Sequence, residues 1–203
     1  LAYTHIEIQM DRQEIIDTTE EVVARNRALL GPNEDYWVSQ RISNGVISLD
    51  GEPPIQDGAT IVIECTPLPL RARASMFRDG IEAVIAPLKR VPPDALSPNA
   101  KINNYMNPML AQREVTAIRP GAWALQLDMN GNLAEGVGCN VFFVRDGKVI
   151  TPKADNILPG VTRAVVLELC RDNGIDVTEQ DVSLHTATTA SEAFFTSTSL
   201  CLC

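Results

Sequence analysis

Apolar positions in the first stretch, DRQEIIDTTEEVVARNRALLG (residues 11–31), recur at Ile15, Ile16, Val22, Val23, Leu29 and Leu30, the spacing of one helical face. Thr18 followed by Glu21 has the form of a capping box and Gly31 that of a stop, so the pattern predicts one helix broken near Asp17, or two short ones. YWVSQRISNGVISL and ATIVIECTPL are rich in β-formers, and the second reads as a buried strand. TPLPLRARASMF then brings two prolines and no clear period. It marks a linker over residues 68–77, between an N-terminal part (1–67) and a larger C-terminal part (78–203).

The second part has a different rhythm. AWALQLDMNGNLAEG and NVFFVRDGKVITP each set an Asn-Gly or Asp-Gly pair between β-prone flanks, the strongest short-range hairpin signal. Two hairpins in succession predict an antiparallel sheet or barrel. LPGVTRAVVLELCRDNGIDV follows, with a Pro-Gly turn, a helix from about Thr162 to Arg171 carrying Val165, Val166 and Leu169, an Asn-Gly stop and a new strand. There is no internal repeat.

Composition narrows the class. A chain of 203 residues that is 45% hydrophobic can fill a core. A net charge of -9 without a dense basic run argues against nucleic acid or anionic lipid as partner. No stretch approaches a membrane span and no signal peptide is visible, so the expected location is cytoplasmic. Five scattered cysteines and two histidines favour free thiols over a disulfide frame and make a metal site improbable. The first residue is Leu, and the chain stops in the apolar run FFTSTSLCLC, so the sequence is expected to be a piece of a longer one.

Candidate chemistry begins in ALSPNAKINNYMNPMLAQ (residues 95–112), where Lys101 is the one charged side chain. Such a lysine either snorkels to water or sits desolvated with a lowered pKa, ready to form a Schiff base. In AEGVGCN, Glu135 is either a solvated turn residue or a partner for a cationic ring, since Gly136 and Gly138 admit close backbone approach. ILPGVTR is either an ordinary helix start or a phosphate cup made of backbone N–H groups and the Thr162 hydroxyl. An amine, a carboxylate for a ring nitrogen and a phosphate cup are together what pyridoxal 5'-phosphate (PLP) requires.

These residues also carry a resemblance. The lysine, then E-G-x-G-x-N-h-F, L-P-G-h-T-R and E-x-F-x-T-x-T in that order, resemble the class IV (fold type IV) aminotransferases, densely from Lys101 to Ser199 and more weakly from Ala2 to Thr66. The resemblance implies an α/β (α+β) fold: the remainder of a small α/β domain, then a larger PLP-binding domain rich in antiparallel strands. It implies that Lys101 binds the cofactor covalently and later shuttles a proton, while Glu135 pairs with the ring nitrogen. Leu158 is similar to the residue that packs on the ring, Val161 and Thr162 to the phosphate-binding pair, and Thr198 to the threonine of a second phosphate turn. Tyr105 resembles the tyrosine that bonds the cofactor phenolate.

The pattern departs in three places. Tyr105 lies one residue nearer the lysine than in the branched-chain enzymes, the second phosphate turn reads Ser197-Thr198-Ser199, and Cys139 fills a variable position where it reads as a packing thiol. The family's phosphate-binding arginine and aromatic substrate-pocket residues would lie ahead of Ala2. The implied activity is amino transfer from a hydrophobic, branched-chain amino acid to a 2-oxo acid such as 2-oxoglutarate, in a homodimer. An (R)-amine or D-amino acid transaminase, an aminodeoxychorismate lyase, and a non-catalytic binding protein stay open.

Overall fold

A computed structural model describes residues 3–31, 34–45, 58–199 and 201–202. The part of the predicted β-rich run at residues 46–49, together with Leu200 and Cys203 of the terminal run, lies outside them. The chain divides into two compact units, Leu1–Arg73 and Ala74–Cys203.

In the first unit, helix α1 (Arg12–Asn26) runs unbroken. Its capping box is Asp11 with Glu14, not Thr18 with Glu21. The Thr18 and Thr19 hydroxyls instead donate to the Glu14 and Ile15 carbonyls one turn back, at 2.7 and 2.6 Å, which lets a hydroxyl live inside a helix. The half-buried positions Ile15, Thr18, Thr19, Val22, Val23 and Asn26 form one continuous face across Asp17, so nothing breaks the helix there. Strands β1 (Tyr36–Ser43) and β2 (Thr60–Pro67) pair antiparallel, with α1 against β2. Strand β2 is half-buried rather than buried; among the described residues its sheet has two strands, with helix α1 packed against it.

Residues 70–79, which lack a hydrophobic period, form helix α2 (Leu70–Asp79). The run LRARASM consists largely of strong helix formers, and propensity acts where pattern is silent. Strand β3 (Ala83–Ile85) leads into an extended segment whose Ala86 and Arg90 amides bond the Leu125 and Leu127 carbonyls. Helix α3 (Met106–Ile118) buries Ala111 and Val115 against Ala86, Ala122 and Ala124. Small side chains allow that close approach. Gln112 fastens α3 to the next strand, accepting from the Ala124 amide at 2.9 Å and donating to the Ala122 carbonyl at 2.8 Å.

Both predicted hairpins form. Strands β4 (Trp123–Leu127) and β5 (Leu133–Gly136) flank a loop in which one Asp128 oxygen accepts from the Asn130 and Asn132 amides. Strands β6 (Asn140–Arg145) and β7 (Lys148–Pro152) are joined by Asp146 and Gly147 at φ 51° and 76°, the positive values that a two-residue hairpin turn requires. The hairpins do not share one antiparallel sheet, however. The first pairs with β3 in parallel to make a three-stranded sheet. The second belongs to a five-stranded sheet that also holds β8 (Val177–Gln180), β9 (Glu192–Ser197) and β10 (Cys201–Leu202), in the order β10-β9-β6-β7-β8, in which β7 and β8 are parallel. Helix α4 (Val161–Asp172) makes the crossover to β8, helix α5 (Leu184–Thr188) leads to β9, and β10 follows. A single bridge between Gly136 and Cys139 links the two sheets where β5 passes into β6.

Helix α4 buries Arg163, Val166, Leu167 and Cys170; of the apolar positions noted on it from the sequence, Val166 is buried and Val165 and Leu169 are exposed. The arginine occupies an inward position that hydropathy reads as surface. Against this face packs Phe142 of β6, fully buried and stacked on Phe194 of β9 with centroids 5.0 Å apart. Phe142→Ala is expected to destabilise the chain by about 3–5 kcal/mol, as for other fully buried aromatic truncations. Denaturant unfolding measures this, and a loss below about 1 kcal/mol would mean that this cluster does not hold α4.

Candidate active site

The second unit contains a cavity of about 220 Å³ lined by Lys101, Tyr105, Glu135, Leu158, Val161, Thr162 and Thr198. All seven residues singled out from the sequence therefore line one space, although they come from four separate segments.

Lys101 precedes α3, and Tyr105 stands at the helix N-cap position. One turn of chain brings the Lys101 ammonium to the Tyr105 hydroxyl, to which it donates at 3.1 Å, and places it 5.9 Å from the ring centroid. Lys101 is exposed, so of the two settings left open by the sequence, reaching to water or desolvated, the first surrounds it. What the segment does provide is freedom from carboxylates. Lys148 and Lys153 are each 2.8 Å from an aspartate and Lys89 donates to the Met129 carbonyl. Among the described residues Lys101 forms no such ion pair.

Glu135 is only 7% exposed. Its Oε1 accepts from Arg90 Nε at 2.8 Å, and its Oε2 from the Leu158 amide at 3.0 Å and Asn140 Nδ2 at 3.3 Å. Burial pushes the Glu135 carboxyl up from its ordinary value, while the Arg90 charge, the Leu158 N–H and the Lys101 charge draw it back. Asn140 also donates to the Leu158 carbonyl at 2.9 Å, so one side chain ties β6 to the turn that precedes α4. The two glycines nearby have a steric reason. A Cβ on Gly136 would lie 2.6 Å from Cys139 Sγ, and one on Gly160 would lie 2.3 Å from Asn140 Oδ1. Cys139 is itself buried in the core with Leu125, Val141 and Phe195.

The N-terminus of α4 meets the same cavity. Gly160 is its N-cap residue and no side chain caps it, leaving the opening N–H groups of a 12-residue helix for a ligand anion. Fully buried Ile157 and the Asn156 to Asp128 bond at 3.2 Å anchor the approach to the turn. Arg163 fastens the first turn by donating to the Pro152 carbonyl and to Glu179. Thr198 is exposed in the turn after β9. Two residues earlier, Thr196 is 1% exposed and sits directly opposite Asn140 in the sheet.

Polar satisfaction singles out this region independently. Among the described residues, the buried side-chain atoms without a hydrogen-bond partner are Gln126 Oε1, Arg163 Nε and Thr196 Oγ1, and all three residues line the cavity. Buried polar atoms are rarely left so unless something else satisfies them. Sequence reasoning missed Arg90, Asn140, Gln126 and Thr196. Asn140 stood inside a recognised motif element, and Thr196 belonged to another. Arg90 and Gln126 carried no local signal, since their partners lie far along the chain.

The family profile described as amino-transferase class IV matches residues 1–203. A Methanocaldococcus jannaschii protein provisionally named as a branched-chain-amino-acid aminotransferase is 33% identical over 194 residues, 95% of this chain and 64% of its own length. The crystal structure of the Escherichia coli branched-chain amino acid aminotransferase superposes with a TM-score of 0.84 at 26% identity, over 98% of this chain and 64% of that one. That of the Thermobaculum terrenum branched-chain amino acid aminotransferase in its PLP form gives 0.80 at 27%, over 97% and 62%. The chain thus spans less than two thirds of the length of these relatives, and its fold is the fold type IV α/β arrangement that they share. With the profile matched from end to end, the chain belongs to the class IV aminotransferases.

Proposed function

We propose that the chain forms the cofactor-binding part of a PLP-dependent aminotransferase that moves an amino group from a branched-chain amino acid to a 2-oxo acid such as 2-oxoglutarate. The observation that carries the reading is one cavity gathering an amine free of carboxylates, a buried carboxylate held by three donors, and an uncapped helix N-terminus. The donor set fits the cofactor, and the orphaned Thr196 hydroxyl and Gln126 carbonyl leave polar atoms for a ligand to engage. Bound there, PLP supplies an aldehyde that condenses with amines and a ring that takes up an electron pair.

The protein's share follows from its own groups. The exposed Lys101 amine is accessible to the aldehyde, and its place beside the Tyr105 hydroxyl suits it to give and take a proton at the substrate α-carbon. Tyr105 presents a hydroxyl to a phenolate oxygen. Leu158 packs on the ring, while the Val161 and Thr162 amides with the Thr162 and Thr198 hydroxyls hold the phosphate. Glu135 receives the ring N–H, and an anion there favours the protonated ring. Amino donor and acceptor are small molecules, and the assembled enzyme is a cytoplasmic homodimer in this reading.

Three outcomes are expected. The chain mixed with PLP should develop the visible absorption of a lysine-bound cofactor, and Lys101→Ala should abolish it; a chain that stays colourless would overturn the reading. With a cofactor-loaded enzyme, leucine or valine should serve as amino donor, whereas turnover of D-alanine or (R)-phenylethylamine instead would reassign the substrate class. Gly160→Ala pushes a Cβ into Asn140 at the head of α4. It should weaken PLP binding about tenfold, equivalent to ~1.4 kcal/mol, and weaken the phosphate-free pyridoxal less. Equal losses for the two compounds would remove the phosphate from this helix end.

A further inference from the structure

We infer that Arg90 is a positioning residue that holds Glu135 as an anion in the cavity wall and thereby decides where the proton of a bound ring nitrogen sits. The inference rests on the PLP reading of the cavity.

The argument starts from acceptor capacity. An ionised carboxylate offers about four acceptor positions. On Glu135 three are taken, by Arg90 Nε, the Leu158 amide and Asn140 Nδ2. One is left, which suits a ligand presenting a single N–H. A proton between a buried carboxylate and an aromatic nitrogen has two resting places. Low dielectric favours the neutral arrangement, with carboxylic acid beside unprotonated ring, because neither partner then needs solvation. A fixed cation beside the carboxylate reverses that preference. The groups that face Glu135 make Arg90 the one suited to do so. The strand β4 side contributes neutral Gln126, β6 contributes neutral Asn140, and the turn before α4 contributes an amide. Lys101 and Arg163 also line the cavity, but neither bonds Glu135 directly: Lys101 donates to Tyr105 and acts on the carboxylate through its charge alone, more weakly than Arg90, while Arg163 donates to Glu179 and the Pro152 carbonyl.

Arg90 is also built to stay in place. Its amide bonds the Leu127 carbonyl at 2.8 Å, and Asn107 of α3 donates to the carbonyl of the preceding Lys89 at 2.9 Å. Its side chain is 19% exposed, so solvent screens the pair little.

The test compares the affinity of the chain for PLP and for its 1-deaza analogue, in which a C–H replaces the ring nitrogen, across pH. Arg90→Met should weaken PLP binding about tenfold or more at neutral pH, one unit of carboxyl pKa being tenfold, and leave the analogue's affinity unchanged. The acid limb of PLP binding should move to higher pH, because Glu135 without its cation needs a higher pH to ionise. Arg90→Lys should restore most of the affinity and the limb. Should Arg90→Met fail to fold, Arg90→Gln, which keeps a donor and loses the charge, carries the same comparison. Equal losses for PLP and the analogue, or an unmoved limb, would reduce Arg90 to a packing role and overturn the inference while the cofactor reading stands. Binding of neither compound by the unaltered chain would overturn the reading and this inference with it.

Discussion

The arrangement depends on a carboxylate taken out of water. Glu135 sits at the end of β5, 7% exposed, and a charge so placed persists only with dedicated partners. Three separate segments supply them: the extended run after β3 through Arg90, the start of β6 through Asn140, and the turn before α4 through Leu158. The bonds that make the charge tolerable thus also fix the mutual placement of those segments. Removal of one donor would leave a buried charge underserved and loosen the walls of the cavity together.

The rest of the second unit reads as support for that constraint. The Gly136 to Cys139 bridge passes the chain from one sheet to the other at the site, and Gly136 and Gly160 are places where a side chain would strike Cys139 or Asn140. Phe142, Val166, Leu167 and Cys170 seat α4 on the five-stranded sheet, which points its uncapped end at the same space. Gln112 and Gln126 fasten α3 to β4 from the other side, and α3 carries Tyr105 at its head. A site of amine, carboxylate and helix terminus is assembled from elements that each had another structural reason to be there.

Much of this was legible in the sequence, for identifiable reasons. The Asn-Gly and Asp-Gly turns act locally, so both hairpins were readable, and so was the helix beginning near Thr162. Lys101, Glu135, Leu158, Val161, Thr162 and Thr198 stood in ordered motifs whose shared space is visible only when folded. What escaped was non-local. Nothing in APLKRVPP (residues 86–93), the stretch around Arg90, points to a carboxylate 45 residues away. Thr18, with Glu21 after it, looked like a cap because sequence does not reveal that a hydroxyl bonds backward along its own helix. Sheet membership was also out of reach, since hairpin signals do not say which strand lies beside a hairpin. The lysine's exposure shows a further limit: low charge in the sequence left a snorkelling and a desolvated amine both open, and only the fold shows an exposed amine that forms no carboxylate pair among the described residues.

The central claim is that Lys101 is the amine on which the cavity's chemistry turns. Incubation of the chain with PLP, reduction with borohydride and mapping of the modified peptide by mass spectrometry tests it most directly. The account predicts a pyridoxyl adduct on Lys101. Adducts instead on Lys89, Lys148 or Lys153, or spread evenly over all four lysines, would contradict it.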